Sequence, residues 1–229
     1  GMRQMILANL YFQAGRLPEA AEYYIKCVRG YPEFLRAHKN LGLLYLQQGE
    51  LDKALTALSR SVELGDNDGR TYGLIGYCLL NKGKYLPAET AYRQALLNNP
   101  ENLDWIAGLA QTLYNLAKYE EALALFKDLA AEDPDEQEYW SLMVNVYLNL
   151  GEDTKAASTL EIIRRMGQAS PENLALLGDI YLNQQAFSLA LEAYQEALKT
   201  GDGLPAETPL RTVDILYTYG SYQLAEQLI

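Results

Sequence analysis

The chain has a single histidine, two cysteines, eight prolines among 229 residues, and fewer basic than acidic side chains, 19 against 30. Each shortage excludes something. One histidine, His38, rules out a site built on two imidazoles and a relay of several histidine bases. Two cysteines, Cys27 and Cys78, make no disulfide framework and lack the paired spacing of a zinc site, so small apolar packing is the role expected of both. A formal net charge of −11 argues against nucleic acid as a partner, because phosphate binding needs clustered lysine and arginine. No stretch approaches the roughly 18 uninterrupted apolar residues of a membrane span, and no basic-then-apolar leader opens the chain. Direct membrane insertion is not expected. The expected compartment is the cytoplasm, or the periplasm if a leader was removed ahead of the present start.

What the chain does have is repetition. With 49% hydrophobic and 21% charged residues, it has the composition of an ordered protein. The stretch "GLLYLQQGELDKAL" at 42–55 returns as "GDIYLNQQAFSLAL" at 178–191, four periods of 34 residues later. Six units, 1–34, 35–68, 69–102, 103–136, 137–170 and 171–204, follow one another without insertion. A partial seventh, 206–229, comes after one extra residue. Counting places within a unit, place 20 reads Ala20, Ala54, Ala88, Ala122, Ala156 and Ala190. Place 8 reads Ala8, Gly42, Gly76, Ala110, Val144 and Gly178, and place 24 reads Tyr24, Leu58, Tyr92, Phe126, Leu160 and Tyr194.

Large or small core residues at places 4, 7, 8 and 11, and again at 17, 20, 24 and 27, fall at helical spacing, so each unit reads as two amphipathic helices. Place 15 is Gly15, Gly49, Gly83 and Gly151 in four units, where a residue that tolerates positive φ ends the first helix. Pro32, Pro100 and Pro134 stop the second helix, and Ser170-Pro171 supplies a capping hydroxyl and a first-turn proline for the helix that follows. The small place 8 is expected to face the alanine at place 20 and let the two helices approach closely.

This pattern resembles the tetratricopeptide repeat (TPR) family, whose consensus sets a large residue, Leu-Gly, Tyr, Ala, an aromatic and a closing Pro at these places. The resemblance covers nearly the whole chain. It implies an all-α fold, a right-handed α-α superhelix forming one repeat domain over 1–229, stabilised by the stacking of neighbouring units. Asp66, Gln168 and Asp202 stand in place of the closing proline, Val144 in place of the small residue and Gln185 in place of the glycine; these departures are expected to change turn geometry more than fold. Val213, Leu216, Gly220 and Ala225 continue the pattern in the seventh unit. Met2, Met5 and Ile6 at one end and Leu224, Leu228 and Ile229 at the other leave apolar surface, expected to be covered by further chain or by a second copy. A homo-oligomer through these terminal repeats is therefore one expectation.

Few parts for catalysis are present, and neither an enzyme activity nor a cofactor is expected. Cys27 and His38 lie on consecutive helices and would make a thiol with a base. Both occupy packing places, which favours a structural role. The acidic pairs Glu120-Glu121 and Asp133-Asp135 fall near turns and read as solvated acid.

The residues that the packing rule leaves undetermined are more informative. In the TPR family, places 2, 5, 6, 9, 12 and 13 of each first helix line the concave wall. Place 13 is Gln13, Gln47, Asn81, Asn115, Asn149 and Asn183, and place 9 adds Asn9, Gln111 and Asn145. A carboxamide donates and accepts at once, so such a ladder suits an extended peptide backbone. Helix ends also favour short amides, and the two readings stand side by side. Tyr77 and Tyr114, with Phe12, add apolar contacts on the wall. Residues 1–102 contain 12 basic and 10 acidic side chains, net +2, and residues 103–229 contain 7 and 20, net −13. On the wall this becomes Arg36, Lys39 and Arg70 early, against Asp104, Glu138, Glu172, Asp179 and Asp214 later. Some TPR proteins grip a C-terminal carboxylate with Lys and Asn, then Asn, then two basic residues. Asn9, Asn40 and Arg70 are similar to part of that set, but Met5 and Leu74 stand where other basic members belong, leaving Arg36 and Lys39 as substitutes.

The resulting expectation is a non-enzymatic scaffold that binds an extended peptide or a partner helix in its groove. The alternative is a regulatory or substrate-presenting segment of a larger enzyme or assembly.

Overall fold

The computed structural model describes residues 2–200, 208–218 and 222. Asp202, Gly220, Leu224, Ala225, Leu228 and Ile229 lie outside them. Helices alternate with tight turns: α1 (Met2–Gln13), α2 (Leu17–Gly30), α3 (Leu35–Gln47), α4 (Leu51–Glu63), α5 (Gly69–Asn81), α6 (Tyr85–Asn98), α7 (Leu103–Asn115), α8 (Tyr119–Glu132), α9 (Gln137–Asn149), α10 (Asp153–Arg165), α11 (Pro171–Asn183), α12 (Phe187–Thr200) and α13 (Thr208–Thr218). The fold is all-α, of the α-α solenoid class. Two compact units, Gly1–Ala122 and Leu123–Ile229, make up the chain, and each is described by itself.

The first helices of the six complete repeats end the same way. Place 15 has positive φ in Gly15, Gly49, Gly83 and Gly151, and equally in Ala117 (φ 56) and Gln185 (φ 59). The expected change of turn at Gln185 does not occur, because the backbone bonds dictate the conformation. The N–H of Ala186 reaches the carbonyl of Tyr181 at 2.8 Å and that of Gln185 reaches Leu182 at 3.0 Å, the reciprocal pair of a Schellman turn. Ala117 and Lys118 repeat it on Tyr114 and Leu113.

The second helices end in two ways. Before Pro32 and Pro100 the chain leaves the helix at Tyr31 (φ −140, ψ 78) and Asn99 (φ −146, ψ 83), as the residue preceding a proline must. Where Asp66 and Gln168 replace the proline, the helix closes instead on Gly65 (φ 100) and Gly167 (φ 71). Here the N–H groups of Asp66 and Gln168 bond back to Ser61 (3.0 Å) and Ile163 (3.2 Å). The first helices α5, α7, α9 and α11 start on side-chain caps, whereas α3 follows Phe34 without one: the backbone N–H of Trp105 donates to Asn102, and that of Asn173 to Ser170, which directly precedes Pro171.

The alanines at place 20 are buried, as are the place-24 side chains. At Gly42, Gly76 and Gly178 the small place 8 lies directly against the place-24 side chain. A Cβ on Gly42 would lie 2.6 Å from Leu58 Cγ, one on Gly76 2.9 Å from the Tyr92 ring, and one on Gly178 2.5 Å from the Tyr194 ring. The large residue therefore crosses the first helix of its own unit through the gap that the small one leaves.

Candidate functional site

A tyrosine at place 24 brings a hydroxyl into this packed layer, and a buried hydroxyl must find a partner. In the first compact unit, Tyr24 donates to Asn9 Oδ1 at 2.6 Å, while Asn40 Nδ2 reaches the same oxygen at 2.9 Å and the tyrosine oxygen at 3.4 Å. In the second unit, Tyr194 donates to Asp179 Oδ1 at 2.5 Å, and the Arg211 guanidinium also binds that oxygen. Both seats are built from place 9 of the same repeat and place 6 of the next. Burial raises the Tyr24 phenol above its ordinary value against a smaller opposing effect of Asn40. For Tyr194 burial and the Asp179 carboxylate both raise it. Asn9, Asn40 and Asp179, singled out as wall residues, thus serve core tyrosines.

Lys39 is likewise engaged within the protein. Its Nζ lies 2.7 Å from Asp68 Oδ2 and 3.2 Å from Asp66 Oδ2. Asp66, only 8% exposed, also accepts from Thr71 Oγ1 (2.7 Å), the Asp68 N–H (3.2 Å) and Ser61 Oγ (3.3 Å). Burial acts to raise its carboxyl, but the bonds from Thr71, the Asp68 backbone and Lys39 together hold it below the ordinary value. The residue that replaced a proline has become the hub of a junction between two repeats.

The amides of place 13 have a different setting. Gln13, Gln47, Asn81, Asn115, Asn149 and Asn183 are all exposed, and each is the last residue of its helix. Asn81, Asn115 and Asn149 donate one N–H to the carbonyl four residues back, on Tyr77 (2.8 Å), Gln111 (2.7 Å) and Asn145 (2.7 Å). In Asn81 and Asn115 the carboxamide retains a second N–H and an oxygen beyond this bond. Around them Tyr77, Asn145, Arg36 and Arg70 are exposed, Gln111 is half-buried, and half-buried Tyr114 packs its ring 5.8 Å from Tyr119. Phe12 packs against the core of the first repeat.

Profiles described as tetratricopeptide repeat match residues 7–69, 79–146 with 118–180, and 171–200. The chain belongs to the tetratricopeptide repeat family. Among solved structures it is similar to YrrB, titled a TPR protein with an unusual peptide-binding site, at TM-score 0.66 and 21% identity over 79% of this chain and 93% of that one. It is also similar to MamA, at 0.63 and 16% identity over 89% and 97%, and to pilF of Pseudomonas aeruginosa, at 0.61 and 20% over 87% and 90%. Curated protein sequences yield no match. At these identities the likeness speaks for the fold. TPR proteins are in general scaffolds for protein interaction.

A signal for the tyrosine seats was present within the TPR repeats. Where place 24 is Leu58, Phe126 or Leu160, place 6 of the next repeat is Leu74, Leu142 or Leu176. Where place 24 is Tyr24, Tyr92 or Tyr194, place 6 is Asn40, Gly108 or Arg211. Reading each place down its own column hides this; reading across the column pair reveals it.

The thiol and the imidazole point away from joint chemistry. Cys27 is buried and its thiol is raised by desolvation, while burial pushes Cys78 up to about 11. His38 Nε2 lies 2.9 Å from the Pro32 carbonyl oxygen, and the Trp140 indole N–H donates to Pro134 at the same distance. Place 4 thus ties its helix to the turn that precedes it. Among the described residues no group of three or more side chains is arranged to hold a metal ion, and no helix is long and apolar enough to cross a membrane.

Proposed function

We propose that this TPR protein is a non-enzymatic scaffold that binds an extended peptide of a partner protein along the exposed face of the first helices of the unit Gly1–Ala122. The observation that carries the reading is the exposed carboxamide at the end of each of the four first helices of that unit, Gln13, Gln47, Asn81 and Asn115. Such amides offer a donor and an acceptor at every repeat and match a peptide main chain without demanding a particular sequence. Asn81 and Asn115, with Tyr77, Tyr114 and Gln111 beside them in sequence, supply the densest part of this wall within Gly1–Ala122. Arg36 and Arg70 bias that part toward acidic groups, whereas Lys39, neutralised by Asp66 and Asp68, contributes little to the bias. The peptide-binding site named for YrrB is consistent with this use of the fold. Thiols held protonated by burial fit a role without nucleophilic chemistry.

Combined Gln47→Ala, Asn81→Ala and Asn115→Ala substitution tests it. Peptide affinity is expected to fall by about tenfold or more, at roughly 0.5–1.5 kcal/mol per hydrogen bond, with a small loss of thermal stability because the bonds to the last turn are exposed. Unchanged affinity in the triple variant would sink the proposal.

A further inference from the structure

Tyr92 is the third tyrosine at place 24, and its seat is built differently. The side chain is 3% exposed. Its ring covers Gly76, and its Cζ and hydroxyl oxygen occupy the space that a Cβ on Gly108 would need. The phenol tip therefore reaches the position from which Asn40 and Arg211 serve the other two tyrosines. Place 9, which supplies Asn9 and Asp179 in those seats, is here Tyr77, 49% exposed, and Gly108 has no side chain to offer. Among the described residues, no group of the protein hydrogen bonds to the Tyr92 hydroxyl. The hydroxyl oxygen keeps a contact with solvent, so water serves it in the free protein and an acceptor brought by a ligand can take the place of that water.

Its surroundings say what that would be. Gly108 is half-buried, so the backbone beside the hydroxyl is open to close approach by another chain. Burial raises the phenol above its ordinary value, which keeps it protonated and a donor. Both filled seats present an oxygen to the tyrosine: a neutral amide oxygen in one, a carboxylate in the other. The carboxylate comes with the Arg211 cation, and Gly108 provides no counterpart. A neutral oxygen is the acceptor that fits.

We propose that the Tyr92 hydroxyl, at the opening made by Gly108 beside Tyr77, is a subsite that donates to a main-chain carbonyl of an extended peptide from the partner protein. This rests on the peptide-binding reading above. The bound carbonyl takes the part that Asn9 plays for Tyr24, so binding completes a hydrogen-bonding set that the first repeat completes internally.

The test uses the full chain and a peptide selected against it from a displayed random library, then synthesised and titrated by calorimetry. Tyr92→Phe is expected to weaken that peptide about three- to tenfold, the range of one neutral hydrogen bond, with the melting temperature unchanged. Tyr24→Phe is expected to lower the melting temperature and leave the affinity as it was. Wild-type affinity in Tyr92→Phe, with binding lost in the triple amide variant, overturns the subsite alone. So does a fall in melting temperature as large as that of Tyr24→Phe, since it reveals a partner inside the protein. Failure to select any binding peptide overturns both this subsite and the peptide-binding reading.

Discussion

Tyr24 in the first compact unit and Tyr194 in the second occupy the same place of their repeats, yet one hydroxyl is held by two asparagines and the other by an aspartate with an arginine. The packing problem is identical and the electrostatic solution is not. A neutral seat tolerates the loss of a member, because an amide left behind is only a polar group. A charged seat tolerates it less, because removing Asp179 takes a carboxylate acceptor from the tyrosine and also breaks the ion pair with Arg211. The seat that looks stronger is therefore the more fragile one.

Truncation should expose this asymmetry most clearly. Asp179→Ala is expected to cost about 2–3 kcal/mol and Asn9→Ala about 1 kcal/mol, measured by urea denaturation with the local signal of each unit. Equal losses would abolish the distinction. Alkaline titration gives a smaller effect with a definite sign. Both phenols are raised in the folded protein, so the stability they contribute is complete below the unfolded tyrosine value of about 10 and is lost as pH rises from there through the folded value. Tyr194→Phe and Tyr24→Phe should each flatten the fall in melting temperature above about pH 10, and an unaltered profile in both would contradict the shifts. The smallest effect should ignore the seats altogether. Ala117→Gly and Gln185→Gly relieve positive φ in one unit each, and are expected to stabilise by about 0.5–1 kcal/mol despite the added backbone freedom of glycine. A loss at either site would show that its side chain does more than fill the turn.

The repeat register, the helix pair and the glycine turn could be read from the sequence, since each depends on residues close together in the chain. Even Ala117 and Gln185, which break the glycine rule, keep its geometry because the bonds closing the helix end are local. Asn9, Asn40 and Asp179 were legible only as polar residues on a helix face. Their role depends on Tyr24 and Tyr194, 15 or 16 positions away, and on a layer formed by three helices. Lys39 misled for a similar reason: its charge is cancelled by Asp66, 27 residues later, at a place where the pattern called for proline. The exposed amides of place 13 were legible as a series, and half of them also close the helix turn they end.

The tie between place 4 and the turn proline has a mechanical consequence. Imidazole in one repeat and indole in another each grip the carbonyl of the preceding turn proline, Pro32 and Pro134, at 2.9 Å, so these two joints, at which consecutive repeats would otherwise bend, are pinned by a side chain of the repeat that follows. At such a joint, bending must first stretch a hydrogen bond. Compliance at these two joints is then set by one residue each, and an elastic response can be tuned at His38 or Trp140 without touching the binding wall.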